Sequence, residues 1–390
     1  MNVNRGVQIK MSENQYDLLI NAGRVFCAAS GLDGSGSVAV RGDRIVAAGA
    51  DVQGTAAKVL DFPDDLLLPG LVDVHAHPAH GGSKYGVDPD VNFLPRGVTT
   101  VMSQGDAGAN NLSEYQEHTI RAFQTRIVLA ISLAAPGESK EEQGCFEDLD
   151  DVDVEACVRA IEENREGIWG IALNTVKVCC GNNDPDEILA RAVEVGERTG
   201  KPLLFGSRGE EDSPLAGQLA KLRPGDVVTY CFNPRPQGLL RDGQVRDEVW
   251  AARQRGVLFD AGHGMGSFSF AVAAACIEQG FLPDTISTDQ YRKHVDSVPQ
   301  HDLPRTLSKL LAVGMPEDEA MMSVTARSAE VLGLAGEVGT LALGACADLT
   351  LLRWNLGALP LCDVSGEERP GGCWEAKLVV RGGKVVAGGP

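Results

Sequence analysis

The sequence predicts a (β/α)8 barrel with a small β domain assembled from both ends of the chain. Three observations carry that expectation. Apolar, strand-like runs alternate with helical stretches through the middle of the chain, and eight such runs can be counted. Short β-branched segments broken by Gly and Asp occupy both ends instead. No Gly-rich nucleotide loop follows the first central strand, which argues against a doubly wound open sheet.

Taken in order, YDLLINAGRVF, SVAVRGDRIVAAG and AKVLDF read as strands, with a turn at Arg41-Gly42-Asp43. The barrel strands follow as GLVDVHAH, GVTTVMSQ, RIVLAISL, GIWGIALN, KPLLFGS, GDVVTYCFN, GVLFDAGHG and PDTISTD. Between them, DPDEILARAVEVGERTG and FAVAAACIEQG have helical periodicity; the first opens on Asp and both end in Gly. At the C-terminal end, ADLTLLRW and AKLVVRGGKVVAGG supply further strands, with a hairpin turn at Gly382-Gly383. The expected division is 12–66 plus 338–390 for the β domain and 67–337 for the barrel.

Composition narrows the function classes. A formal net charge of −19 argues against nucleic acid or an anionic membrane as partner but does not identify a substrate. No apolar run approaches the roughly 20 residues that span a bilayer. The first twenty residues lack the apolar core of a signal peptide and read as a polar extension ahead of Met11. Ten cysteines without a repeating spacing suggest reduced thiols in a cytoplasm.

In a barrel the chemistry gathers where the strands end. His75 and His77 close the first strand, and side chains two apart in a strand point the same way. A bare H-x-H is as readily a hydrogen-bonded surface pair. Asp289, however, closes the eighth strand, which neighbours the first once the barrel is shut. Two imidazoles and a carboxylate brought together from opposite ends of the barrel suit a divalent metal.

LLLPGLVDVHAHP, YGVDPDVNFLPRGVTTV, FDAGHGMGSFSFAVA, GFLPDTISTD, DLPRTLSKLLAVGM and GTLALGACADLTLL together resemble the amidohydrolase superfamily, in its dihydroorotase-like amidohydrolase and deacetylase branch. The resemblance runs over nearly the whole chain. It implies the barrel, a terminal β-sandwich, a small-molecule substrate and a divalent metal, usually zinc, and homo-oligomers are common in such families. It also implies two metals, bridged by a lysine on strand four and completed by a histidine on each of strands five and six. Those positions fall here on Ala172, Gly206 and Tyr230. The first metal's set, His75, His77 and Asp289, is intact. The expectation is therefore one divalent ion, Zn²⁺ foremost with Mn²⁺ or Fe²⁺ compatible, with Asp289 both ligand and proton acceptor.

Other strand-end residues have two readings each. His263 suits a hydrogen bond to substrate or to Asp289, as a catalytic or a supporting group. Tyr230 either donates to a developing oxyanion or fills the volume of the missing ion. Arg208 either binds a substrate carboxylate or pairs with Glu210 or Glu211. Asn174 and Gln104 are expected to face substrate, and Asp106 to shape the pocket. Cys231 reads as a buried core thiol, Cys179 and Cys180 as a loop pair over the site, and Lys177 as an exposed loop lysine. His80, His118, His294 and His301 are assigned no role. Hydrolysis of an amide, cyclic amide or ester fits best; non-hydrolytic lyase, decarboxylase or isomerase chemistry, or a non-catalytic binding role, stand beside it.

Overall fold

A computed structural model describes residues 15–207 and 209–389. Arg208 and the N-terminal extension lie outside the described residues.

Both ends of the chain build one seven-stranded sheet. Its order runs Lys384–Gly388, Cys373–Arg381, Leu349–Asn355, Thr55–Pro69, Gln15–Cys27, Leu32–Arg41, Arg44–Gly49. Thr55–Pro69 lies parallel to Gln15–Cys27, and the other pairs are antiparallel. Both expected turns are present. Arg381 pairs with Lys384 around Gly382 and Gly383, whose φ values of +55° and +76° are the left-handed pair a two-residue hairpin needs. The sheet curls so that its two end hairpins approach each other at their turns. A Cβ on Gly383 would fall 1.9 Å from the Gly42 carbonyl oxygen, so the two outer hairpin turns meet. Ile20, Val38, Val40, Ile45, Leu67, Leu351 and Val380 fill the space enclosed.

The barrel strands pair in chain order and in parallel: Leu71–Ala76, Val98–Gln104, Arg126–Ser132, Ile168–Asn174, Leu203–Gly206, Val227–Thr229 and Leu258–Phe259. Val72, Val74, Met102, Ala130, Ala172, Leu204 and Val227 form one apolar plug, capped by Ala329 and Leu332. Outside, helix Pro185–Thr199 lies where its pattern predicted. Asp184 caps its first turn, Gly200 ends it at φ +70°, and Ile188, Leu189, Ala192 and Val195 are its buried stripe.

The eighth strand closes the barrel in an unusual way. Residues 284–290 pair irregularly, bridging Asp260 to Thr285 on one side and Ala76 to Gln290 on the other, with backbone hydrogen bonds from Ala261 to the Thr285 carbonyl at 3.0 Å and from His77 to the Gln290 carbonyl at 2.9 Å. Side chains complete the closure. The Asp260 carboxylate accepts from Thr229 Oγ1 at 2.7 Å, Thr285 Oγ1 at 2.7 Å and Ser287 Oγ at 2.6 Å. Asp73 accepts from the Thr288 hydroxyl at 2.6 Å and its N–H at 3.1 Å. This accounts for a polar TIST run in a barrel strand: two buried carboxylates consume its hydroxyls.

Candidate active site

His75 and His77 end the first strand, both buried, and their Nε2 atoms converge on one oxygen. His75 Nε2 lies 3.4 Å and His77 Nε2 3.5 Å from Asp289 Oδ1. Asp289 reaches that point through a left-handed backbone, φ +49°, held by its N–H donating to the His75 carbonyl at 2.7 Å. Each imidazole is oriented from behind. His75 Nδ1 is 2.7 Å from the Thr229 hydroxyl, with Asp260 beyond at 3.7 Å. His77 Nδ1 is 2.9 Å from Asp106, whose carboxylate also accepts from Ser83 at 2.6 Å and Ser103 at 2.7 Å. Burial opposes charge on the rings, but the Asp289 and Asp260 carboxylates prevail at His75, raising its pKa to about 9. At His77 burial is likewise overcome, by Asp106 and Asp289, to about 10. Burial would raise the Asp289 carboxyl, yet the two imidazoles hold it well below the usual carboxylate range.

Among the described residues no three His, Cys, Asp or Glu side chains are gathered into a finished metal cage. The two edges that are formed do fit one. Bonds of about 2.0 Å in a tetrahedral zinc site put ligand atoms roughly 3.3 Å apart. Carboxylate and hydroxyl partners on the far ring nitrogens are also what metal-binding imidazoles commonly have.

The three positions of the implied second ion carry no metal-ligating lysine or histidine. Ala172 belongs to the apolar plug. Tyr230, at φ +61°, swings its ring over Gly206, and a Cβ there would lie 2.9 Å from Tyr230 Cε2 and 2.8 Å from Asn174 Oδ1. The phenol oxygen sits 3.3 Å from His75 Nε2 and accepts from Asn174 Nδ2 at 3.3 Å. Gly206→Ala must therefore push Tyr230 or Asn174 aside. It is expected to cost about 1–3 kcal/mol, the usual range for overpacking, and to lower kcat; urea denaturation and steady-state kinetics check both.

A cavity of about 180 Å³ opens over this centre, lined among others by His77, Gln104, Asn174, Tyr230, Arg235 and Asp289. Gln104 and Asn174 thus face it as expected. Larger hollows, about 590 and 670 Å³, lie at the opposite ends of the strands around Lys201 and Pro202. They lack a comparable cluster, so chemistry and not volume marks the site. Arg235 also reaches the cavity, in a stretch after strand six that shows no sequence signal. Cys231 is a buried thiol as expected, and Lys177 is exposed. Cys179 and Cys180 form part of a short helix, Lys177–Cys180, and both are buried. Cys179 lines the cavity, while the Cys180 thiol faces the Asn174 carbonyl at 3.7 Å.

His263 requires correction as a catalytic residue. It is buried and does not line the cavity. Nδ1 lies 2.7 Å from the Gly264 carbonyl and so carries the proton; Nε2 then accepts from Lys309 Nζ at 2.7 Å. The ring stacks on Phe268 at 4.9 Å, and burial followed by the Lys309 charge drives its pKa well below the ordinary value. With both nitrogens committed it cannot reach substrate. What it holds is the loop: Gly264, at φ +49°, packs so close that a Cβ would lie 2.6 Å from Asp289 Oδ2. His301 and His294, given no role by the sequence, continue the same buried cluster. Their rings stack at 4.1 Å, and His301 Nε2 donates to the Thr288 carbonyl at 2.8 Å. Lys309, deep in helix Leu303–Ala312, was not anticipated.

No family model matches the chain. Curated relatives do. A deacetylase of Enterococcus faecalis is 30% identical over 377 residues, covering 96% of this chain and 98% of its own. A deacetylase of Agrobacterium fabrum is 31% identical over 390 residues, covering 98% and 94%. Among solved structures, an adenine deaminase superposes with a TM-score of 0.84 at 28% identity, covering 95% of this chain and 99% of its own. A dihydroorotase does so with 0.84 at 29%, covering 95% and 99%. The closed barrel, the paired imidazoles on Asp289 and these full-length likenesses agree: the chain belongs to the amidohydrolase superfamily, in its dihydroorotase-like amidohydrolase and deacetylase branch, and is a hydrolase.

Proposed function

We propose that this hydrolase cleaves an amide, cyclic amide or ester bond of a small metabolite with one divalent metal, Zn²⁺ foremost, held by His75, His77 and Asp289. The observation that carries the single-metal reading is the Tyr230 ring packed over Gly206, in the space a second ion would need. Bound there, the ion supplies an acidified water and an electrophile for the scissile carbonyl.

The chain's own groups do the rest. Asp289, ionised between two imidazoles, accepts the proton of the attacking water. The Tyr230 hydroxyl, raised well above its ordinary pKa by burial, stays protonated and donates toward charge growing on the carbonyl oxygen. Asn174 orients that hydroxyl. A cavity of about 180 Å³ accepts a short acyl group more readily than a bulky one, in keeping with two relatives that are deacetylases. No helix among the described residues is long and apolar enough to cross a membrane, and the ten cysteines are free thiols, which supports a reducing cytoplasm as the working compartment.

The test is acid and amine release from a panel of N-acetyl, O-acetyl and cyclic amide metabolites. Turnover of at least one is expected. Tyr230→Phe should lower its kcat by about 10- to 1,000-fold, as loss of an oxyanion donor does, with metal content unchanged. Metal-loaded protein that releases nothing across the panel would overturn the reading.

A further inference from the structure

Asp289 takes a proton from water, but a departing amine or alkoxide needs one, and the cavity holds a second carboxyl placed to give it. Glu138 lies in the loop after the third barrel strand. Gly137 turns that loop at φ +61° so tightly against the second strand's loop that a Cβ would lie 2.6 Å from the Asp106 carbonyl oxygen and 2.8 Å from the Gly108 nitrogen. The Lys84 N–H donates to the Glu138 carbonyl at 2.9 Å and fixes the backbone from the other side. The residue is 6% exposed and lines the same cavity as His77, Tyr230 and Asp289. Its Oε2 makes no hydrogen bond among the described residues. The nearest cation, Lys84 Nζ, stands 3.5 Å away and donates to the Gln143 carbonyl at 2.6 Å instead.

Burial pushes the Glu138 carboxyl up, against the lowering influence of Lys84, His77 and the Cys145 thiol. A carboxyl on the cavity wall that burial holds toward its neutral form is one that can give a proton.

From this placement we infer that Glu138 is the general acid that protonates the leaving nitrogen or oxygen. The inference deepens the proposed hydrolysis and rests on it. In the step, the C–O bond to water forms and the C–N or C–O bond to the leaving group breaks. Water gives one proton to Asp289, and Glu138 gives its own to the leaving atom. One proton passed through solvent from Asp289 to Glu138 restores both.

Glu138→Gln keeps the shape and removes the acid. The experiment compares it with wild type on acetate esters whose alcohols range from alkyl to p-nitrophenyl, with metal content and thermal melting as controls. With alkyl esters kcat should fall on the order of 100-fold. With p-nitrophenyl acetate, whose leaving group departs without a proton, the fall should be at most a few-fold. An equal loss across the series, in a variant that keeps its metal and melts as wild type does, overturns the acid role alone. Wild-type protein that turns over amides alone moves the same comparison to acetyl amides of graded amine basicity, with the same two outcomes; one that hydrolyses neither esters nor amides overturns the hydrolytic reading together with this inference. A Glu138→Gln variant that fails to fold leaves Glu138→Asp to decide: partial recovery restricted to the alkyl esters supports the role, and uniform loss overturns it.

Discussion

Wild-type protein carries about one divalent metal per chain, and His75→Ala with His77→Ala carries none and has no measurable turnover: that is the expected result of elemental analysis beside an acid-release assay. Both ring nitrogens that face Asp289 are lost, and a lone carboxylate does not retain zinc against water. The fold should survive. Asp106 keeps Ser83 and Ser103 as donors, and Asp260 keeps its three hydroxyls. Stability is therefore expected to fall by only about 1–3 kcal/mol, the cost of polar partners left underused. Two metals per chain in wild type would contradict the packing of Tyr230 over Gly206.

Asp260→Ala is expected to destabilise the protein by about 3–5 kcal/mol, more than any other single substitution considered, as for a buried charged network that loses its centre. Its carboxylate is fully buried and joins strands six and eight through Thr229, Thr285 and Ser287, adding side-chain ties to the backbone hydrogen bonds that run between residues 259–264 and 284–288. Removing it leaves three buried hydroxyls without their acceptor. It also removes the support behind His75, so metal affinity should drop roughly 10- to 100-fold. Urea denaturation and competition with a chelator measure the two effects separately. A variant as stable as wild type would mean that the barrel closes without this carboxylate.

How much of this was legible beforehand varies by residue. His75, His77 and Asp289 were, because strand alternation and strand-end placement are local rules that hold whatever the rest of the chain does. The hairpin at Gly382-Gly383 and the helix from Pro185 were legible for the same reason. Tyr230 was half legible: its position at a strand end pointed to the site, but its left-handed backbone and its packing over Gly206 depend on a neighbour from another strand. His263 misled. A histidine in a glycine-rich strand-end loop resembles a catalytic group, and only Lys309, forty-six residues later, shows where its lone pair goes.

By itself, the sequence determined the barrel, the ends of its strands and the meeting of His75, His77 and Asp289, since all three follow from periodicity and from which residue types end a strand. Only the tertiary structure decided the buried carboxylates that tie in the eighth strand, the packing of Tyr230 over Gly206 and the placing of Glu138 on the same cavity as Asp289. Each of these depends on contacts between residues far apart in the chain, made across a closed barrel where a few tenths of an ångström separate a fit from a collision.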